Sequence, residues 1–123
     1  MTEKSNVFSI LQSIQSYFSP KIIGEVNDTY IKLAKIFGDD IPWHNHRDED
    51  EMFYIISGEL LFEEEGKKSF KMEAGDIYIV KKGVNHKVSA EKECHIMLIE
   101  NKTTLHTGEV NSKITRSIDE QKM

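Results

Sequence analysis

Residues 38–58 read GDDIPWHNHRDEDEMFYIISG, a stretch in which two histidines precede a charged run and then an apolar run. On a β-strand, residues i and i+2 point to the same side, so His44 and His46 can direct both imidazoles to one metal ion. Glu51 follows His46 by five residues, and this odd spacing would place it on the opposite side of a straight strand. We therefore predict that residues 47–50 bend the chain and bring the Glu51 carboxylate to the two imidazoles.

A second stretch, residues 75–90, reads GDIYIVKKGVNHKVSA and adds a third histidine, His86. Around both stretches, short runs of Ile, Val, Tyr and Phe alternate with clusters of Gly, Asp, Asn and Lys. Such runs, with turns about every 8–12 residues and no long helices between them, are typical of an all-β sandwich or barrel. We predict strands near residues 22–26, 29–37, 51–57, 59–65, 68–72, 76–80, 85–90 and 93–100.

The first stretch resembles the first motif of the cupin superfamily. In that family the motif runs Gly, five residues, His-x-His, three or four residues, Glu, six residues and Gly. Every position of the motif is matched in this sequence, by Gly38, His44, His46, Glu51 and Gly58. His-x-His alone is a weak signal, and the glycines and the glutamate at family spacing make it specific.

The second stretch resembles the second cupin motif, which runs Gly, five residues, Pro-x-Gly, two residues, His, three residues and Asn. Gly75, Gly83 and His86 match this pattern. Lys81 stands at the proline position and Ala90 at the asparagine position, so the chain departs from the motif twice. Neither departure affects a metal ligand that the resemblance implies.

The resemblance implies an all-β, single-domain cupin, a double-stranded β-helix or jelly-roll barrel, to which the sequence adds a short N-terminal helix. It also implies a metal ion near the barrel centre, held by His44, His46, Glu51 and His86. Three imidazoles and one carboxylate suit a divalent transition metal such as Mn, Fe, Co, Ni or Zn, and leave coordination positions open for a ligand. Side chains expected to form the substrate pocket are those of Phe53, Ile55 and Trp43.

The chain divides into three predicted segments. Residues 1–20 form a helical segment, because Val7, Ile10, Leu11, Ile14 and Phe18 make one apolar stripe that predicts a helix over 5–18. Residues 21–108 form the barrel. Residues 109–123 form a polar tail that we expect to be loosely ordered or to pair with another surface.

Composition excludes several classes of protein. At 123 residues the chain is long enough for one domain with one core. The apolar runs fall far short of the roughly 20 residues of a membrane span, and the net charge of −5 without a basic patch argues against a nucleic-acid partner. No signal-peptide pattern is present, and the single cysteine, Cys94, excludes an intrachain disulfide. We therefore expect a cytoplasmic protein.

Three functions remain open at this point. The first is a metal-dependent enzyme acting on a small oxygen-bearing metabolite, by dioxygenase or isomerase chemistry of the kind found among single-domain cupins. Cupins similar to this chain are often labelled after mannose-6-phosphate isomerase. The second function is a non-catalytic module that binds or senses a small molecule, and the third is an empty barrel that serves association.

Outside the implied ligands, no general base stands out in the sequence, and Glu49 and Asp50 are loop candidates only. We expect His95 to be structural, His106 to lie in a surface loop and Cys94 to be a packed side chain. The resemblance also favours a homodimer, in which the N-terminal helix or the C-terminal tail covers an edge strand of the neighbour.

Overall fold

The computed structural model describes residues 3–123. Within these residues the chain forms a helix, a series of antiparallel strands and a short C-terminal helix. Their bounds are α1 Val7–Ser13, β1 Lys21–Val26, β2 Thr29–Gly38, β3 Glu51–Ser57, β4 Glu59–Glu64, β5 Phe70–Glu73, β6 Ile77–Val80, β7 His86–Asn101 and α2 Ile118–Gln121. The predicted fold class, an all-β single domain with a short N-terminal helix, is confirmed. No helix in the described part of the chain is long and apolar enough to cross a membrane.

Strand β7 joins the two sheets of the barrel. One sheet has the strand order β1-β2-β7-β3-β6, and the other consists of β5, β4 and the first part of β7. The strands predicted at 85–90 and 93–100 are therefore one strand of 16 residues that changes its partners along its length. No glycine or proline interrupts this segment, so the backbone stays extended where the partner changes.

Helix α1 is shorter than the helix predicted over 5–18. Leu11 and Ile14 pack with Leu33 on the outer face of β2. Phe18 instead joins the barrel core, with its backbone N–H donating to a carbonyl of β2 at 2.8 Å. The residues of the apolar stripe therefore belong to two different hydrophobic clusters. The helix ends before Phe18, and the chain that follows it directs the Phe18 side chain into the barrel.

The barrel core follows the period-two alternation of the strands. Along β7 the inward positions are buried and the outward positions are partly or fully exposed. Interior side chains away from the histidines are almost all apolar, and they include Ile36, Ile55, Leu60, Phe62, Cys94 and Ile96. The buried histidines and charged side chains form one group, and this places the candidate site inside the barrel; the group comprises Lys32, His44, His46, Glu51, His86 and Glu100.

The C-terminal residues pack onto the barrel; we expected residues 109–123 to be loosely ordered or to pair with another surface. Ile114 belongs to the barrel core, and Lys122 forms a backbone bridge with Ile22 of β1. Helix α2 begins with a capping box in which Ser117 and Glu120 bond reciprocally. The predicted divisions between the three segments stay predictions.

Candidate metal centre

Two of the candidate ligands face each other across a short backbone bridge. The N–H of His44 donates to the carbonyl of His86 at 3.1 Å, and the N–H of His86 donates to the carbonyl of His44 at 2.9 Å. His46 follows on the same side of the extended chain. One ligand nitrogen from each of the three buried imidazoles lies within 4.8 Å of the other two. The structure thus brings together three histidines that lie up to 42 residues apart (His44 to His86) in the sequence.

Backbone carbonyls fix the protonation of two of these rings. His44 Nδ1 lies 2.9 Å from the carbonyl oxygen of Pro42, and His86 Nδ1 lies 3.0 Å from that of Val84. A carbonyl oxygen can only accept, so each Nδ1 carries the proton and donates it. Each Nε2 then holds a free lone pair, which is the form of imidazole that binds a metal ion.

Glu51 reaches the same cluster from the start of β3. Residues 47–48 bend the chain before it, and Oε1 of Glu51 lies 3.3 Å from Nε2 of His46 and 3.5 Å from Nε2 of His86. The four ligands implied by the family resemblance therefore lie together in one cluster. The three imidazoles are the group whose ligand atoms all lie close to one another, and the Glu51 carboxylate lies beside those of His46 and His86.

Several buried polar atoms of the histidine cluster and Glu51 have no hydrogen-bond partner. They include both ring nitrogens of His46, Oε1 of Glu51 and Nε2 of His86. Leaving such groups unpaired inside a protein costs about 1–3 kcal/mol each. A divalent cation between these side chains would satisfy one ring nitrogen of His46 together with Oε1 of Glu51 and Nε2 of His86, so the donor set fits a metal ion of the kind that prefers imidazole and carboxylate.

Burial and mutual proximity govern the charges of the cluster. Burial, reinforced by the neighbouring His86, lowers the pKa of His44 to about 4. Although burial alone would raise it, the imidazoles of His46 and His86 hold the pKa of Glu51 well below its usual range. Burial opposes a charged His46, but the Glu51 carboxylate raises the pKa of His46. The centre therefore combines an ionised carboxylate with a neutral His44, as metal ligation requires.

A second buried polar pair lies beside the histidines, and sequence reasoning missed it. Lys32 Nζ lies 3.4 Å from Oε1 of Glu100, and both side chains are buried. Glu100 stands directly opposite Glu51 in the β3–β7 ladder, and its Oε2 has no hydrogen-bond partner. Burial and the nearby Glu51 raise the pKa of Glu100 to about 8. The signal in the sequence was the period of two, which places both residues at inward positions of their strands.

A small cavity opens beside the histidines inside the barrel. Its volume is about 30 Å³, and its wall includes His44, Glu51 and His86. Apolar side chains complete the wall, among them Phe18, Ile41, Phe53, Val88, Ile96 and Leu98. The cavity has room for a very small ligand, and its lining is mostly apolar.

The three side chains expected to form the substrate pocket have different places. Phe53 lines the cavity, as its inward position next to Glu51 indicates. Ile55 is fully buried in the core one inward position further along β3, but it does not line the cavity. Trp43 is 45% exposed and lies outside the cavity, because it precedes the inward-facing His44 and points the other way.

The remaining histidines and the cysteine are placed as follows. His106 lies in the turn after β7, as expected, but it is partly buried and lines the cavity, and its Nδ1 accepts the backbone N–H of Arg116 at 2.9 Å. Burial, with a contribution from His44, lowers the pKa of His106 to about 4. His95 lies on the outer face, 2.6 Å from a carboxylate oxygen of Glu93. Cys94 is buried in the core, and burial raises the pKa of its thiol to about 12.

The sequence and the structure of the chain are similar to those of several known proteins. The family model of the cupin domain, Cupin_2, matches residues 37–100, a span that holds both histidine stretches. A cupin-2 domain containing protein from Shewanella frigidimarina has a similar structure, with 36% identity, a TM-score of 0.75 and coverage of 79% of this chain and 93% of that one. Protein NMB1881 from Neisseria meningitidis is similar at 28% identity and a TM-score of 0.73, covering 80% of this chain and 99% of its own. The uncharacterized protein YdbB of Bacillus subtilis is 29% identical over 102 residues, which are 83% of this chain and 89% of that protein.

Proposed function

The chain belongs to the Cupin_2 family of cupin domains, and from this premise we propose that it binds one divalent transition-metal ion through His44, His46, His86 and Glu51. The observation that carries the proposal is the set of buried nitrogen and oxygen atoms at this point that lack hydrogen-bond partners. The carbonyls bonded to Nδ1 of His44 and His86 support it, because they leave both Nε2 atoms free to ligate. Mn, Fe, Co, Ni and Zn all suit such a donor set.

The proposed reaction class is metal-dependent chemistry on a small oxygen-bearing metabolite, of the dioxygenase or isomerase type. A bound metal supplies Lewis-acid polarisation of the ligand oxygens. The chain contributes an apolar wall, including Phe53, that excludes water from the reacting atoms. Glu100 stands opposite Glu51 and 3.4 Å from Lys32 Nζ, and its buried carboxyl group, whose pKa is raised to about 8, is the candidate for proton transfer outside the four proposed ligands.

A second candidate function is binding or sensing of a small molecule without turnover. The cavity wall favours it, because among residues 3–123 it contains no side chain, apart from the proposed ligands and His106, that can act as an acid or a base. The two functions differ in what happens to the ligand. A ligand that raises the melting temperature of the metal-loaded protein and is recovered unchanged after long incubation supports sensing, whereas metal-dependent conversion supports an enzyme.

Elemental analysis tests the metal proposal. Protein purified without chelators, loaded with Mn, Fe, Co, Ni or Zn and dialysed, is expected to retain one ion per chain. His46→Ala and His86→Ala are expected to lose it, while His95→Ala, a histidine on the outer face, is the matched control and is expected to retain it. Equal metal content in all variants would contradict the proposal.

We further propose that the protein is a homodimer, built on the sheet edge at β6. This strand ends its sheet and exposes Ile77 and Ile79 by 59% and 47%, beside Tyr54 of β3. An edge strand with apolar side chains lowers its free energy by pairing with a second copy. Light scattering is expected to give twice the chain mass of 14.2 kDa, and Ile79→Glu is expected to give the monomer. A monomer in the unsubstituted protein would contradict it.

We also propose that the protein has no nucleic-acid partner and that it is cytoplasmic. The acidic net charge of −5 supports the absence of a nucleic-acid partner, and the single buried Cys94 supports a cytoplasmic location.

A further inference from the structure

His106 reaches the candidate site from a part of the chain that neither cupin motif includes. It lies 20 residues after His86, beyond the end of β7, and its ring lines the same cavity as His44, His86 and Glu51. The rings of His44 and His86 are oriented by the carbonyls of Pro42 and Val84 and not by His106. Its presence in the cavity wall therefore needs a separate explanation.

The hydrogen bond from Arg116 fixes the tautomer of the His106 ring. The backbone N–H of Arg116 donates to Nδ1 at 2.9 Å, and a ring nitrogen that accepts a hydrogen bond carries no proton. The neutral ring must then carry its proton on Nε2. Nε2 is accordingly a hydrogen-bond donor, whereas His44 and His86 offer lone pairs on the corresponding atom. The cavity wall thus contains imidazoles of two opposite kinds.

The segment that carries His106, residues 103–108, packs closely against residues 44–49, which include the proposed ligands His44 and His46. Gly108 has φ +59, and a Cβ at this position would lie 2.1 Å from the carbonyl oxygen of Asn45, the residue between His44 and His46. Thr103 also donates to the Glu49 carboxylate at 2.6 Å. Backbone-to-backbone contact of this kind leaves the segment little freedom to shift. The ring of His106 is therefore held at a set position relative to the histidine pair.

We propose that His106 is a ligand-binding residue that donates a hydrogen bond from Nε2 to the molecule bound at the metal centre. The ligand class is a small anion or oxygen-bearing molecule with one atom for the metal and a second, hydrogen-bond-accepting atom for His106. The cavity of about 30 Å³, whose wall is apolar apart from the proposed ligands and His106, limits this molecule to a few atoms. The inference rests on the proposed metal site and adds a specificity-determining contact to it.

Two substitutions separate the two ring nitrogens. In His106→Asn the amide oxygen takes the place of Nδ1 and can still accept the Arg116 N–H, but the donor at Nε2 is lost. In His106→Gln the longer amide places an N–H near the position of Nε2 and keeps a donor there. His95→Asn is the control, since this histidine lies on the outer face of the barrel.

The probe is azide, a three-atom anion, added to the Co²⁺-loaded full-length protein and followed through the visible absorption of the metal. We expect His106→Asn to weaken azide binding about ten-fold, the value of one hydrogen bond. His106→Gln and His95→Asn are expected to stay within about three-fold of the unsubstituted protein. The dissociation constant for Co²⁺ is expected to change by less than about three-fold in every variant.

The outcomes separate this inference from the proposed function. Unchanged azide affinity in His106→Asn overturns the inference and leaves the metal site standing, as does an equal loss in His106→Gln. Loss of Co²⁺ from His106→Asn also overturns it, because His106 would then act on the metal and not on the ligand. Failure of the unsubstituted protein to bind Co²⁺ overturns the proposed function and the inference together.

Discussion

Phe62 supports the metal site from behind, so its removal is expected to affect both stability and metal binding. The side chain is fully buried on β4 and stacks on His86, with ring centroids 5.8 Å apart and an interplanar angle of 7°. It also contacts Phe53 edge-to-face at 5.2 Å and stacks with Phe70 at 5.3 Å. Phe62→Ala therefore deletes the central ring of an aromatic cluster that includes one proposed ligand.

The expected cost follows from the burial of this ring. Truncation of a fully buried phenylalanine to alanine costs about 3–5 kcal/mol, which includes the lost transfer free energy and the cavity left behind. The stacked and edge-to-face contacts place Phe62 in the middle of that range or above, at about 4 kcal/mol. Against a total free energy of unfolding of about 5–15 kcal/mol, this is a large fraction.

Urea unfolding of metal-free protein measures the change. With a denaturant dependence of about 1.5 kcal/mol per molar urea, the midpoint is expected to fall by roughly 2.7 M. Phe8→Ala, at a position 68% exposed on α1, is the matched control and is expected to change the free energy by less than about 0.5 kcal/mol. A loss below about 1 kcal/mol in Phe62→Ala would refute the role assigned to this ring.

The milder substitution Phe62→Leu tests the link between the aromatic cluster and the site. It keeps an apolar side chain in the core but removes the flat surface against which His86 lies. Because groups that orient a metal ligand contribute to affinity, metal binding is expected to weaken by about ten-fold. An unchanged dissociation constant would show that the backbone bridge and the Val84 carbonyl alone position His86.

Two further predictions concern a turn and the cysteine. Gly58→Ala is expected to destabilise the protein by about 2–3 kcal/mol, because φ is +83° and a Cβ would lie 2.8 Å from the Glu93 carbonyl oxygen. Gly66→Ala is the control: its φ is +81° but the space around it is open, so the expected cost is about 1 kcal/mol. Equal losses of unfolding free energy in urea would contradict the steric argument. Cys94, whose thiol pKa burial raises to about 12, is almost entirely protonated at pH 8 and is expected to resist a thiol-reactive disulfide reagent until urea unfolds the chain. Rapid labelling of the native protein at pH 8 would rule out this environment.

The sequence could predict the residues of the candidate site because strand geometry fixes their directions. Alternation places His44 and His46 on one side, and the charged residues before Glu51 supply the bend that brings its carboxylate round. His86 could be predicted from the family spacing but not from periodicity, because a backbone bridge between distant segments brings it next to His44. The fold class likewise follows from the short apolar runs and the turn residues between them.

Other features could not be predicted from local pattern. Lys32 and Glu100 occupy inward positions of apolar strands, and only the three-dimensional register places them side by side. His106 lies in a segment without periodicity, so its approach to the cavity depends on the path of the chain after β7. Ile114 is one of a few apolar residues scattered through a polar tail, and its burial follows from that same path.

Anomalous diffraction from crystals of the metal-loaded protein, measured at the absorption edge of the bound metal, tests the central claim most directly. We expect one strong peak inside the barrel, about 2.0–2.2 Å from a nitrogen of His44, His46 and His86 and from an oxygen of Glu51. A peak on the surface, or none inside the barrel of a fully loaded and folded protein, would contradict it.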